Sequence, residues 1–242
     1  MKKLREVRAL KAFTRLADPN STNEGNEGNE AALSASELTW LPAMEVRSEG
    51  VFLRLVDERL DAWSRATAVA ARAERIRTAR RRVMEQRAAD PTRVPPSPAP
   101  PGWCCSTPWP VLINEWSLDA GYPAAALRER LYADDDMAGI LVYTATSDSV
   151  GSLGGLVAQG EPDRLARTIR SAVRRAEWCS SDPLCVESEA SGTGGTNLAA
   201  CHACVMLPET SCEHNNSLLD RALLVGTPDD PHLGFFANVL EQ

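Results

Sequence analysis

The sequence predicts an α+β fold, mostly helical with a few strands, closed by a C-terminal cysteine-rich module. Three observations carry this expectation. Two stretches, one opening at Asp57 and running through Arg82 and one over 162–178, place apolar residues at helical spacing against faces rich in arginine. Two short runs, 50–56 and Gly139–Thr144, read as strands. Five of the seven cysteines fall between Trp178 and His214.

The chain has 242 residues, enough for one large domain or two small ones. With 43% hydrophobic and 24% charged residues and a net charge of -7, its composition is that of an ordinary soluble protein. No apolar run approaches the roughly 18 residues of a membrane span, so no membrane partner is expected. The start, Met1-Lys2-Lys3-Leu4-Arg5-Glu6, is basic but lacks the apolar stretch of a signal peptide, which predicts a cytoplasmic protein. Lysine occurs only at Lys2, Lys3 and Lys11, so arginine carries nearly all positive charge. Arginine forks onto phosphate oxygens, although genomic bias also raises its share.

Residues 4–15 have Leu4, Val7, Leu10 and Phe13 at a spacing that suits a helix or a strand. From Pro19 to Glu30 a polar run with repeated Asn-Glu-Gly cannot bury a core and reads as a loop. The strand at 50–56 is bounded by Gly50 and Asp57, and Asp57 opens one long helix whose far half is strongly basic. Residues 90–110 hold eight prolines and read as a linker. Val111–Trp116 and Pro123–Tyr132 read as two short helices. Unbroken apolar character in Gly139–Thr144 predicts a strand buried on both faces. The following Asp148–Gly155 is glycine-rich but lacks a phosphate-loop ending, so it reads as a structural turn. A helix over Pro162–Trp178 puts Leu165, Ile169, Ala172, Val173 and Ala176 on one face and five arginines on the other. Asn216–Val225 reads as a final helix, and the tail from Gly226 shows no strong pattern.

The cysteine segment reads Cys179-x5-Cys185, a Ser/Gly-rich spacer, Cys201-x2-Cys204, then Cys212, with His202 and His214 inside or beside it. A Cys-x2-Cys pair lets two thiolates reach one ion across a tight turn, and further cysteines complete a tetrahedron around zinc. Buried core thiols and a disulfide framework are the competing readings; five cysteines in one short segment of a chain without a secretory start favour metal. The expected ligands are Cys185, Cys201, Cys204 and Cys212, the central pair with one flanking cysteine on each side. Cys179 is the alternative ligand, His202 points away, and His214 could replace Cys212. Four protein ligands leave no water to activate, so the ion is expected to be structural.

Several stretches also resemble a known family. Trp178-Cys179-Ser180-Ser181-Asp182-Pro183-Leu184-Cys185, Asn197-Leu198-Ala199-Ala200-Cys201-His202-Ala203-Cys204, Leu207–Glu213 and Leu219–Leu223 resemble the zinc-binding domain of MrfA-like repair helicases. Together with Leu4–Leu10, Trp40–Val46 and Gly121–Ala124, they look closer still to DrmB, a subunit of the anti-phage system DISARM. The resemblance implies the C-terminal part of a longer, non-catalytic subunit that joins a separate helicase and helps it engage DNA. No Walker A lysine motif or helicase acidic box occurs in the chain itself. The expected division is an N-terminal α/β segment (1–89), the proline-rich linker (90–110), a zinc-binding domain (111–225), which the resemblance implies, and a tail (226–242).

Cys104-Cys105-Ser106-Thr107-Pro108-Trp109-Pro110 departs from the family, which has an apolar helix there reading Leu-Leu-His-Thr-Leu-Ala-His. Codons for this stretch can be chosen that read Leu-Leu-His-Thr-Leu-Ala in another frame. A local, compensated frameshift with loss of a core helix is therefore expected, and resequencing tests it. Two other functions are weighed: direct DNA contact through Arg164–Arg175, and a hydrolase using Asp148 and Ser152 with His202 or His232, for which the chain has no motif.

Overall fold

The structure is a computed structural model that describes residues 4–14, 30–87, 108–134, 137–144 and 155–240. The first stretch, open between helix and strand, is strand. β1 (Leu4–Ala9) runs antiparallel to β4 (Ala43–Ser48), with Leu4 opposite Ser48 and Ala9 opposite Ala43. Its side chains alternate between half-buried and exposed, the period of two that a strand requires. β2 (Ala12–Thr14) and β3 (Glu30–Ala32) form a second short antiparallel pair.

The main sheet is antiparallel in the order β5 (Gly50–Arg54), β7 (Met137–Thr144), β6 (Leu127–Asp134). β7 lies at its centre, and Ala138, Ile140, Leu141 and Val142 are all buried, as their unbroken apolar run predicts. Gly139 is required by close approach: a Cβ there would sit 2.8 Å from the Leu53 carbonyl oxygen and 2.9 Å from the Phe52 ring.

The helix expected over Pro123–Tyr132 is instead a 3-10 turn at Ala124–Ala126 followed by β6. Arg, Glu and Leu favour helix locally, but here ladder bonds to β7 prevail, and alternation puts Leu127 and Glu129 in the interior. The outer edge of β6 is also occupied. The Glu129 N–H donates to the Ser211 carbonyl at 3.1 Å, and the Leu131 N–H to Glu213 Oε2 at 2.6 Å.

The single long helix expected from Asp57 is two, α1 (Asp57–Ser64) and α2 (Thr67–Arg87). The break lets Trp63 turn onto the tail, where its indole donates to the Leu233 carbonyl at 2.9 Å and meets Phe235 edge-on. Val69, Ala73 and Ile76 of α2 pack on Leu198, Leu218, Leu223 and Leu233.

α3 (Pro108–Ala120) begins inside the stretch expected to be linker. The first helical N–H groups have no intrahelical partner, so Pro108 and Pro110 are tolerated there. Trp109, Leu112, Ile113 and Trp116 join the largest core cluster, so a core helix is present from Pro108 onward. The remainder of the proline-rich stretch, Cys104 and Cys105, the Asn-Glu-Gly run up to residue 29 and the glycine-rich residues 145–154 lie outside the described residues.

α4 (Gly155–Gln159) is anchored by the buried Glu49, whose Oε1 accepts from the Leu156 N–H and the Tyr122 hydroxyl, both at 3.0 Å. α5 (Pro162–Ala176) follows, its buried face formed by Thr168, Ala172, Val173 and Ala176. Of the helix expected over Asn216–Val225 only α6 (Ala222–Val225) exists. The backbone before it is committed elsewhere: Leu219 bonds to Leu198 and Arg221 to Ala199. The tail then turns at Gly226 (φ 88), where a Cβ would lie 2.3 Å from the Pro231 carbonyl oxygen, and ends in α7 (Ala237–Leu240). Among the described residues no helix is long and apolar enough to cross a membrane.

Candidate metal centre

α5 delivers the chain directly into Cys179, and the loop to Cys185 is shaped by one carboxylate. Asp182 accepts the Cys179 N–H on Oδ2 at 2.8 Å and the Val186 N–H on Oδ1 at 3.1 Å, closing a turn that brings both sulfurs to the same side. The second pair closes on itself: the Cys201 N–H donates to Cys204 Sγ at 3.3 Å. An N–H aimed at sulfur favours the thiolate that a metal needs.

The two pairs meet. The sulfurs of Cys179, Cys185, Cys201 and Cys204 all lie within 4.8 Å of one another. Individual separations are 3.4 Å for Cys179 to Cys201, 3.6 Å for Cys201 to Cys204 and 3.8 Å for Cys185 to Cys204. A regular tetrahedron with zinc–sulfur bonds of about 2.3 Å has edges of about 3.8 Å, so the four sulfurs already stand at zinc spacing.

The cluster differs from the expected ligand set at one position: Cys179 takes the place given to Cys212. Cys212 is buried in the main core with Trp116 and Leu207. It is held there because residues 211–213 run along the edge of β6, with the Glu213 N–H donating to Glu129 Oε1 at 3.2 Å. His202 is exposed and outside the cluster; His214 is half-buried, and burial lowers its pKa. The missed signal was Asp182 between the first two cysteines, whose carboxylate accepts one N–H from each side and so folds the Cys-x5-Cys loop back on itself.

Burial pushes the Cys185 thiol far up and the Cys204 thiol to about 12. Burial also works against ionising Cys201, but hydrogen bonds from Cys179, the Ala203 backbone and Cys204 outweigh it and hold this thiol below its ordinary value. A bound dication displaces the thiol protons that remain.

A buried dipeptide ties the centre to the fold. Arg221, 2% exposed, donates to Asp182 at 2.6 Å and to the Ala176 carbonyl at 2.9 Å, joining the cysteine loop to the end of α5. Its neighbour Asp220 is fully buried, pairs with Arg72 of α2, and accepts the backbone N–H groups of Ala199 and Ala222 at 3.3 and 3.1 Å. Asn197 and Asn216 complete the support. The first accepts the Leu219 N–H at 2.9 Å, and the second accepts from and donates to the backbone of Leu207.

An all-cysteine quartet closed by a structured hydrogen-bond shell defines a zinc-binding domain, and residues 110–205 match the family model of the MrfA Zn-binding domain. That span contains all four clustered cysteines and excludes Cys212. The chain is also similar to a longer protein: it is 35% identical over 256 aligned residues to "DISARM protein DrmB" of Bacillus paralicheniformis (strain ATCC 9945a / NCIMB 11709 / CD-2). The match takes in 98% of this chain and 42% of that protein, so the chain spans about two fifths of its relative's length.

Proposed function

We propose that this chain is a non-catalytic, zinc-held accessory module of a DISARM-type anti-phage assembly, in which it partners a DNA helicase. The observation that carries this reading is the similarity to DrmB along 98% of the chain. The ligands in this reading are Cys179, Cys185, Cys201 and Cys204. Zinc held by four cysteines has no open position for a water, so it supplies rigidity and not chemistry. The hydrolase alternative gains no support: His202 and His232 are exposed, and Asp148 and Ser152 lie outside the described residues.

The test is to co-express the chain, with whatever sequence its gene adds, with a candidate DISARM helicase, and to measure co-purification and phage plaquing. Cys201→Ser/Cys204→Ser should remove both the complex and the protection. Protection that survives without zinc or without a complex overturns the reading.

A second reading, direct DNA contact, is favoured by α5. Arg167, Arg170 and Arg174 are exposed and have no ion-pair partner among the described residues, whereas Arg175 is bound by Glu115 at 3.0 Å. Duplex binding should weaken with salt, and each arginine replaced by alanine should reduce the log–log slope by about 0.9 if it meets a phosphate. An unchanged slope removes this reading.

A further inference from the structure

Beside the cysteine quartet the surface carries a groove of about 590 Å³. One wall is the first cysteine loop, with Trp178, Pro183 and Val186; the other is the turn after α6, with Gly226, Pro228 and Pro231. Two side chains on the cysteine loop are the most exposed large apolar groups among the described residues, Leu184 at 80% and Trp178 at 71%. They cannot fold away, because Asp182 pins the loop through the Cys179 and Val186 N–H groups and is itself held by Arg221.

The charges around the groove have one sign. Glu177 lines the groove beside Trp178, and Asp229 and Asp230 fall in the chain between Pro228 and Pro231, two lining residues of the opposite wall. All three are exposed, and none forms an ion pair among the described residues. Carboxylates on both lips repel a phosphate backbone and attract a cation, and an indole face offers a cation a second attraction. Valine and proline between them suit a compact aliphatic or proline side chain.

We infer that this groove docks an extended segment of a partner protein in which an arginine or lysine stands beside an aliphatic residue or proline. The inference rests on the accessory-module reading and gives that module the surface on which it meets its partner.

The test is selection from a random-peptide library on the zinc-loaded full chain, followed by affinity measurement on the enriched peptides. Enrichment of arginine or lysine next to leucine, valine or proline is expected. Affinity should fall at least about tenfold in Trp178→Ala, as for an interface anchor, and similarly in Glu177→Gln/Asp229→Asn/Asp230→Asn. Zinc content and melting temperature should stay unchanged in both variants, which separates lost docking from lost folding. No enrichment, peptides without basic residues, indifference to Trp178→Ala, or displacement of the peptide by duplex DNA or by a second copy of the chain overturns the inference. Co-purification with the helicase that survives both variants would overturn it while leaving the accessory reading intact. Peptide binding without a helicase complex would do the reverse.

Discussion

Replacing Arg221 by methionine removes the charge that joins the cysteine loop to the rest of the fold while keeping most of the side-chain volume. Arg221 and Asp182 have side-chain exposures of 2% and 16%, so solvent cannot take over from either partner. Breaking a buried ion pair by removing one member costs about 3–5 kcal/mol. Asp182 keeps the Cys179 and Val186 N–H groups, which places the expected loss near the lower end, about 3 kcal/mol. Urea unfolding of the zinc-loaded protein measures it. Because the same carboxylate positions Cys179, chelator competition should show zinc affinity falling about 10–100-fold, the usual effect of losing an outer-shell partner. Asp182→Asn should cost at least as much, since it strands a guanidinium in the interior, and the double variant should cost less than the two single losses summed. A loss below about 1 kcal/mol with unchanged zinc affinity would refute the view that this pair holds the loop.

Further tests separate the two roles of the cysteines. Elemental analysis should find about one zinc per chain in Cys212→Ser, with only a stability loss from a polar group in the core, whereas Cys179→Ser should hold zinc weakly; the opposite result would restore Cys212 as a ligand. Zinc affinity measured against a chelator of known pH response should rise by at least about tenfold per pH unit between pH 6 and 8, because thiols such as Cys204 and Cys185 must lose protons to bind. A flat profile would mean that the apo thiols are already ionised. Burial raises the Glu129 carboxyl to about 7, opposed by the Glu213 N–H. The folded protein therefore binds this proton more tightly than the unfolded chain, so its contribution is full below the ordinary glutamate pKa and is lost as pH rises to about 7. Glu129→Gln should remove that part of the pH dependence, about 2–3 kcal/mol between pH 4.5 and 8. An unchanged difference between variant and parent across that range would show that the carboxyl titrates normally.

The elements legible in the sequence were those whose pattern and environment agree. Gly139–Thr144 is apolar throughout because both faces of β7 are covered, and α5 reads as a helix because one face is buried and the other bears arginines. The zinc centre was legible from the Cys-x2-Cys pair, since that spacing closes locally without help from the rest of the chain. The choice between Cys179 and Cys212 was not legible, because it depends on an edge. Residues 211–213 are drawn away along β6, and β6 itself was hidden under good helix formers. Leu218 was hidden for a similar reason. It looks like part of a helix, yet it takes φ 67 while the backbone around it bonds to Asn197, Leu198 and Ala199.

The paired charges of Asp220 and Arg221 also bear on whether the molecule can be divided. Asp220 faces α2 and Arg221 faces the cysteine loop, so adjacent residues fasten segments that lie far apart along the chain. β5 likewise comes from before the proline-rich stretch and pairs with β7 from after it. A polypeptide cut at the start of α3 would keep every clustered cysteine and the matched zinc-binding span. It would nevertheless lose the helix that covers Leu198, Leu218 and Leu223, and it would leave Asp220 buried without its arginine. The recognisable domain is therefore smaller than the unit that folds, and limited proteolysis should release the two halves as an associated pair instead of as independent fragments.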